Sequence, residues 1–98
     1  MTNVVLVCNA GMSTSLLAAR MREAGGGEYT VNAYSEQEYS KHLDGVDIIL
    51  VGPQVRYLLG SIKEKTGNKI PVEGIDPIAY GRMDAAKIIK QVESILKK

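Results

Sequence analysis

Val4-Val5-Leu6-Val7-Cys8-Asn9-Ala10-Gly11-Met12-Ser13-Thr14-Ser15 runs from an unbroken aliphatic stretch, through a short turn, into a helical pattern. Continuous apolar character over a few residues is what a strand buried on both faces requires, as at the centre of a parallel sheet. The chain's only cysteine stands at the junction. A strand that feeds a helix N-terminus offers backbone N–H groups to an anion. Cys8 is therefore placed for covalent chemistry as well as for packing.

Outward from this junction, the first strand is expected over Asn3–Val7 and the first helix over Met12–Ala24. In that helix Met12, Leu16 and Ala19 recur at helical spacing, with Leu17 and Met21 beside them. Gly25-Gly26-Gly27 stops it, because glycine accepts the left-handed conformation of a C-terminal cap. Glu28–Tyr34 is a second strand, less apolar and so expected at an edge. Ser35 and Glu38 have the spacing of a capping box for a short helix over Glu36–Leu43.

Val46–Val51 is the second strongly buried strand, and Gly52-Pro53 turns the chain. Val55, Leu58, Leu59 and Ile62 then form one apolar helical stripe, which ends at Thr66-Gly67-Asn68. A fourth strand is expected over Lys69–Ile75. The last helix, about Asp84–Lys97, buries Ile88, Ile89, Val92, Ile95 and Leu96. Its Lys90 and Lys97, with Lys98, lie toward the carboxyl end, where the helix dipole favours cations.

The order β-α-β-α-β-α-β-α calls for right-handed crossovers. It gives an α/β fold: a single-domain, open, four-stranded parallel sheet of order 2-1-3-4 with helices on both faces, spanning residues 1–98. This is an architecture similar to that of low-molecular-weight tyrosine phosphatases. Ligands of such sheets bind beyond the carboxyl ends of the strands, which is where Cys8 falls.

Bulk composition narrows the functional classes. The chain has 98 residues, 45% of them hydrophobic, enough for one core. Its net charge of +1, with no basic stretch interleaved with aromatics, argues against nucleic-acid binding. No apolar run approaches the roughly 20 residues of a membrane span. Met1-Thr2-Asn3 enters a strand directly, without the features of a signal peptide. A lone cysteine suits a reducing compartment. A cytoplasmic protein is the expectation. Metal binding is not expected either, since His42 is the single histidine, in a polar helix-to-loop stretch.

The loop's chemistry follows from what surrounds the thiol. Backbone N–H groups over Asn9–Thr14 and the first helical turn can stabilise a thiolate and hold a dianion placed on the sulfur. Gly11 permits close approach of the backbone, and the hydroxyls of Ser13, Thr14 and Ser15 add donors. Those hydroxyls also suit helix capping, and the two duties can share the same hydrogen bonds. A cysteine-dependent phosphatase would carry arginine six residues after the nucleophile, to clamp the transferring phosphoryl group. Thr14 stands there, and Asn9–Ser15 contains no cation. Such a loop can hold a thiophosphate but is poorly equipped to hydrolyse it, as a phosphoryl carrier requires.

With the loop and fold in place, the sequence resembles the enzyme IIB component of phosphoenolpyruvate-dependent sugar phosphotransferase systems, lactose/cellobiose/chitobiose class. The resemblance rests on Cys8–Ser15, on Val51-Gly52-Pro53-Gln54-Val55-Arg56-Tyr57 and on Ile75-Asp76-Pro77-Ile78-Ala79-Tyr80-Gly81, spread over nearly the whole chain. Pro77-Ile78-Ala79 departs from it, where more polar residues are expected before the tyrosine. The resemblance implies that Cys8 accepts phosphate from a histidine of enzyme IIA. The phosphocysteine then docks on membrane enzyme IIC and phosphorylates a β-linked disaccharide of the cellobiose, chitobiose or lactose class. No cofactor is implied, and the protein would be cytoplasmic, transiently at the inner face of the plasma membrane.

Gln54, Asp76 and Tyr80 follow the third and fourth strands and form a candidate outer ring to the loop Asn9-Ala10-Gly11-Met12-Ser13-Thr14-Ser15. For Gln54 and Tyr80 a surface or turn role stands beside phosphate contact. Asp76-Pro77 resembles the general-acid loop of low-molecular-weight phosphatases, but ordinary Asp-Pro turn chemistry is the favoured reading. Arg56 is read as a solvated helix position, and Met12 at the loop tip as part of a transient partner surface. The competing functions are a phosphatase-like cysteine hydrolase and a non-catalytic interaction domain.

Overall fold

The computed structural model describes residues 2–8 and 12–97, with the side chains of Met12, Ser13 and Thr14 excepted. Four parallel strands, β1 (Thr2–Val7), β2 (Tyr29–Tyr34), β3 (Ile48–Val51) and β4 (Val72–Gly74), form one sheet in the order β2-β1-β3-β4. The continuous aliphatic runs Val4–Val7 and Ile48–Val51 are the two inner strands, buried along their lengths. The expected edge position of β2 is observed.

Strand alternation divides the core. Val4, Leu6, Ile48 and Leu50 face one side, against α1 (Met12–Ala24) and α4 (Ala85–Leu96), through Leu17, Ala18, Met21, Ile88, Ile89 and Val92. Val5, Val7, Ile49 and Val51 face the other, against Tyr39, Val55 and Ile62. Ile62 belongs to α2 (Leu59–Lys65), and a five-residue α3 (Pro77–Gly81) follows β4. At the amino ends of the strands, Asn3 ties three segments together. Its N–H donates to Asp47 at 2.8 Å, its amide donates to Gly45 O at 2.7 Å, and Thr30 donates to its Oδ1.

Several local expectations give way to packing. Leu16 is 50% exposed and Ala19 only half-buried, whereas Leu17, Ala18 and Met21 form the buried face of α1. Leu17 and Met21 are buried as expected, and Ala18 fills the place beside them that the spacing gave to Leu16 and Ala19. Ser35 does not cap a helix: its hydroxyl lies 3.3 Å from Glu38 Oε1, and only a 3-10 turn, Tyr39–His42, forms. Burying the Tyr39 ring satisfies that face with a single turn. The stripe from Val55 begins as a 3-10 segment, Pro53–Leu58, with a non-helical Val55 (φ −120, ψ 26), and becomes α-helical only at Leu59. His42 is exposed, as expected, with its ring stacked 4.1 Å from that of Tyr34.

Candidate functional site

Cys8 is the first residue beyond β1 and is 4% exposed. Its N–H donates to Tyr34 O at 3.2 Å, which carries the β1–β2 ladder one step past the strand. On the other flank Gly52 N–H donates to Val7 O at 2.8 Å, and Ile75 N–H to Val51 O at 2.9 Å. These bonds extend the register Val7–Val51–Gly74, so Cys8, Gly52 and Ile75 stand abreast on the carboxyl edge. With adjacent strands about 4.8 Å apart, the row spans roughly 10 Å.

Gly52 is the residue that lets Cys8 lie where it does. A β-carbon at position 52 would stand 2.9 Å from Cys8 Cβ and 3.2 Å from Gln54 Oε1. Its own backbone is ordinary (φ −63, ψ 152), so the requirement is space and not conformation. Both neighbours crowd the same point, which puts the exposed Gln54 side chain beside the cysteine. In the sequence Gly52 reads only as a turn residue before Pro53, and the contact with Cys8 is not visible there. The available signal was a glycine one register step beyond a buried strand, opposite the cysteine.

Asn9, Ala10 and Gly11 lie outside the described residues, as do the side chains of Met12, Ser13 and Thr14. The backbone of α1 starts at Met12, so a helix N-terminus follows the cysteine within one short loop, and Ser15 is exposed in the first turn. Arg20 and Arg56 are exposed. Arg56 Nε lies 4.0 Å from where a Gly74 β-carbon would stand, over the end of β4.

Asp76 is engaged by its own helix. Its Oδ1 accepts from Ile78 N–H at 2.9 Å as the N-cap of α3, Pro77 occupies the first turn, and Lys87 Nζ lies 3.7 Å from Oδ2. The Ile78 N–H holds the carboxyl below its ordinary range; slight burial opposes this, and Ala79 N–H and Lys87 reinforce it. A general acid needs the opposite tuning, toward operating pH. The turn reading of Asp76-Pro77 is the one observed. Tyr80, half-buried, packs against the α1/α4 side of the core.

The backbone of this last connection is held from α4. Gln91 Nε2 donates to Gly74 O at 2.9 Å, and Gln91 Oε1 accepts from Asp76 N–H at 3.3 Å. Nothing in the sequence distinguished Gln91 from any polar residue of an amphipathic helix. Among the described residues the large apolar side chains left exposed are Leu16, Tyr57 and Ile78, in segments that follow β1, β3 and β4 respectively.

A family model described as the lactose/cellobiose-specific IIB subunit of the PTS matches residues 3–91. The chain is 35% identical to the oligo-β-mannoside-specific EIIB component of Bacillus subtilis, covering 98% of this chain and 97% of that one. It is 32% identical to the cellobiose-specific EIIB component of Lactococcus lactis subsp. lactis, over 95% of this chain and 94% of that protein. Among solved structures, the cellobiose-specific IIB component of Borrelia burgdorferi is 36% identical, with a TM-score of 0.70 over 91% of this chain and 85% of that one. The lactose-specific IIB domain of Streptococcus pneumoniae superposes at a TM-score of 0.82 with 17% identity, covering 95% of each chain, a likeness of fold.

Proposed function

The chain belongs to the lactose/cellobiose-specific IIB family of the phosphotransferase system, and from that premise we propose that it is a phosphotransferase of sugar uptake with Cys8 as phosphoryl carrier. The thiolate attacks the phosphorus of a phosphohistidine on enzyme IIA; the S–P bond forms, the N–P bond breaks, and the imidazole leaves with the electron pair. In the second step a sugar hydroxyl bound by membrane enzyme IIC attacks the same phosphorus. The S–P bond breaks, Sγ leaves as thiolate, and the hydroxyl proton passes to a base or solvent on the acceptor side. Both are in-line displacements that depend on positioning more than on protein acids.

The observation that carries the proposal is a buried cysteine at the end of a central strand with threonine, not arginine, six residues on. An arginine fork accelerates transfer to water by stabilising the equatorial oxygens, and a carrier gains from lacking it. The engagement of the Asp76 carboxylate as the N-cap of α3 supports the same reading over the hydrolase alternative. Backbone donors of the loop Asn9–Ser15 would cradle the phosphoryl group, with Gln54 beside it. The exposed Leu16, Tyr57 and Ile78 give partners an apolar surface around the site. Two relatives are named for β-linked sugars, oligo-β-mannoside and cellobiose, and one for the monosaccharide galactose; a β-linked disaccharide is the proposed class of acceptor on the strength of the first two. The site of action is the cytoplasm, at the membrane face where IIC is reached.

Incubation with phosphoenolpyruvate, the general phosphotransferase proteins and a IIA protein of this class tests the reading by intact mass. One phosphoryl group on the wild type and none on Cys8→Ser is expected. Phosphate retained by Cys8→Ser, or rapid Cys8-dependent turnover of p-nitrophenyl phosphate by the chain alone, would overturn it.

A further inference from the structure

Among the described residues no strand pairs with the outer edge of β4, yet two of its backbone groups there are paired. Ile49 N–H donates to Pro71 O and Ile75 N–H donates to Val51 O. Alternation along a parallel strand therefore turns the peptide groups of residues 71, 73 and 75 toward β3, and those of 72, 74 and 76 away from it. Gly74 O and Asp76 N–H are the outward groups on either side of Ile75. They are the acceptor and donor that one residue of an adjacent parallel strand would engage. Gln91 engages both, donating to Gly74 O at 2.9 Å and accepting from Asp76 N–H at 3.3 Å. One turn earlier on α4, Lys87 lies 3.7 Å from the Asp76 carboxylate.

We propose that Gln91 is a positioning residue for phosphoryl transfer: its carboxamide stands in for a fifth strand and fixes the connection after β4 as one wall of the carboxyl edge. The inference rests on the carrier reading of Cys8. β4 has only three residues, the fewest of the four strands, so its own ladder holds the following chain weakly. That chain carries Ile78, 63% exposed on the side where partners would dock. The Cys8 and Gly52 ends need no such device, because each is flanked by ladders on the central strands. A connection already held in place by Gln91 need not be ordered when a partner docks, and losing that hold weakens docking more than the chemical step.

Gln91→Leu keeps the bulk and removes both hydrogen bonds; Val31→Ala, a buried residue of the far edge strand β2, serves as a control for lost stability. Transfer from the IIA protein that charges the wild type is measured at a temperature where all three proteins remain folded. Gln91→Leu is expected to raise KM about tenfold, the equivalent of two modest hydrogen bonds, with kcat changed far less. Val31→Ala should keep the wild-type KM. Amide exchange at Asp76 should accelerate in Gln91→Leu alone. An unchanged KM in Gln91→Leu, or an equal rise in Val31→Ala, overturns the positioning role. A wild type that gains no phosphate overturns the carrier reading and the role in transfer with it. The exchange rate at Asp76 would then still report separately whether Gln91 holds that connection.

Discussion

Gly52 and Cys8 are in contact across adjacent strand ends, so close that a β-carbon at position 52 would stand 2.9 Å from Cys8 Cβ. The atom in the way is fixed to the main chain and has no rotamer by which to escape. Gly52→Ala must therefore move the end of β1 or of β3. Overpacking of this kind costs about 1–3 kcal/mol, which for a domain of this size corresponds to a fall in Tm of roughly 5 °C or more. Phosphorylation of Cys8 should slow by a larger factor than stability explains, because the displaced residue is the proposed nucleophile. Thermal unfolding alongside phosphorylation kinetics checks this; a wild-type rate in a folded Gly52→Ala protein would contradict it.

Asp76 gives a prediction with a defined pH sign. Its carboxyl is held below the ordinary value of 3.8, first by Ile78 N–H. A carboxylate depressed in the folded state adds stability that is complete above the ordinary value and is lost as pH falls below it. Asp76→Ala should thus unfold at a lower temperature than the wild type near neutral pH, and the gap should narrow below pH 3.8. Asp76→Asn retains a capping oxygen, and its transfer rate should remain within about threefold of wild type, where loss of a general acid would cost about a hundredfold or more. Melting curves from pH 7 to pH 2, with transfer assays at neutral pH, distinguish the two roles.

The exposed apolar residues predict effects on partner transfer without effects on folding. Ile78 is 63% and Leu16 50% exposed, so Ile78→Ser and Leu16→Ser should each change stability by no more than about 0.5 kcal/mol. Each should raise KM for phosphorylated IIA or for the IIC-dependent step. Equal KM values for variant and wild type in both steps would remove these residues from the docking surface.

At the opposite edge of the sheet, Arg22 of α1 donates to Val31 O. Cys8 N–H and Thr2 N–H donate to Tyr34 O and Glu28 O, which turns the peptide groups of the odd-numbered residues of β2 outward. Arg22 therefore covers a carbonyl on an open strand edge, a place where unpaired groups invite another chain. Arg22→Ala should self-associate at concentrations where the wild type does not, as measured by sedimentation velocity. Identical sedimentation of the two proteins would show the contact to be incidental.

The two inner strands were legible because burial on both faces leaves an unbroken aliphatic run, and Val4–Val7 and Ile48–Val51 are two such runs. Position beyond a strand end was equally legible, which is how Cys8 could be singled out. Helical detail was less so. Hydrophobic spacing marked α1 as a helix, but Leu16 is half exposed while Ala18 is buried, since the sheet and not the periodicity selects the face. Ser35 and Glu38 have the right spacing for a cap, yet their side chains meet each other at 3.3 Å.

Legible along the chain were the parallel sheet, the place of Cys8 at its carboxyl edge, and a threonine in place of an arginine six residues on. These depend on residue identity and short-range order along the chain. Only the folded chain shows that Gly52 makes room for Cys8 and that Gln91 closes the outer edge of β4. Gly52 and Cys8 are 44 positions apart in the sequence, and Gly74 and Gln91 are 17 apart. No local pattern encodes such pairs, because each is fixed by how crossovers and helix packing bring remote segments to one edge of the sheet.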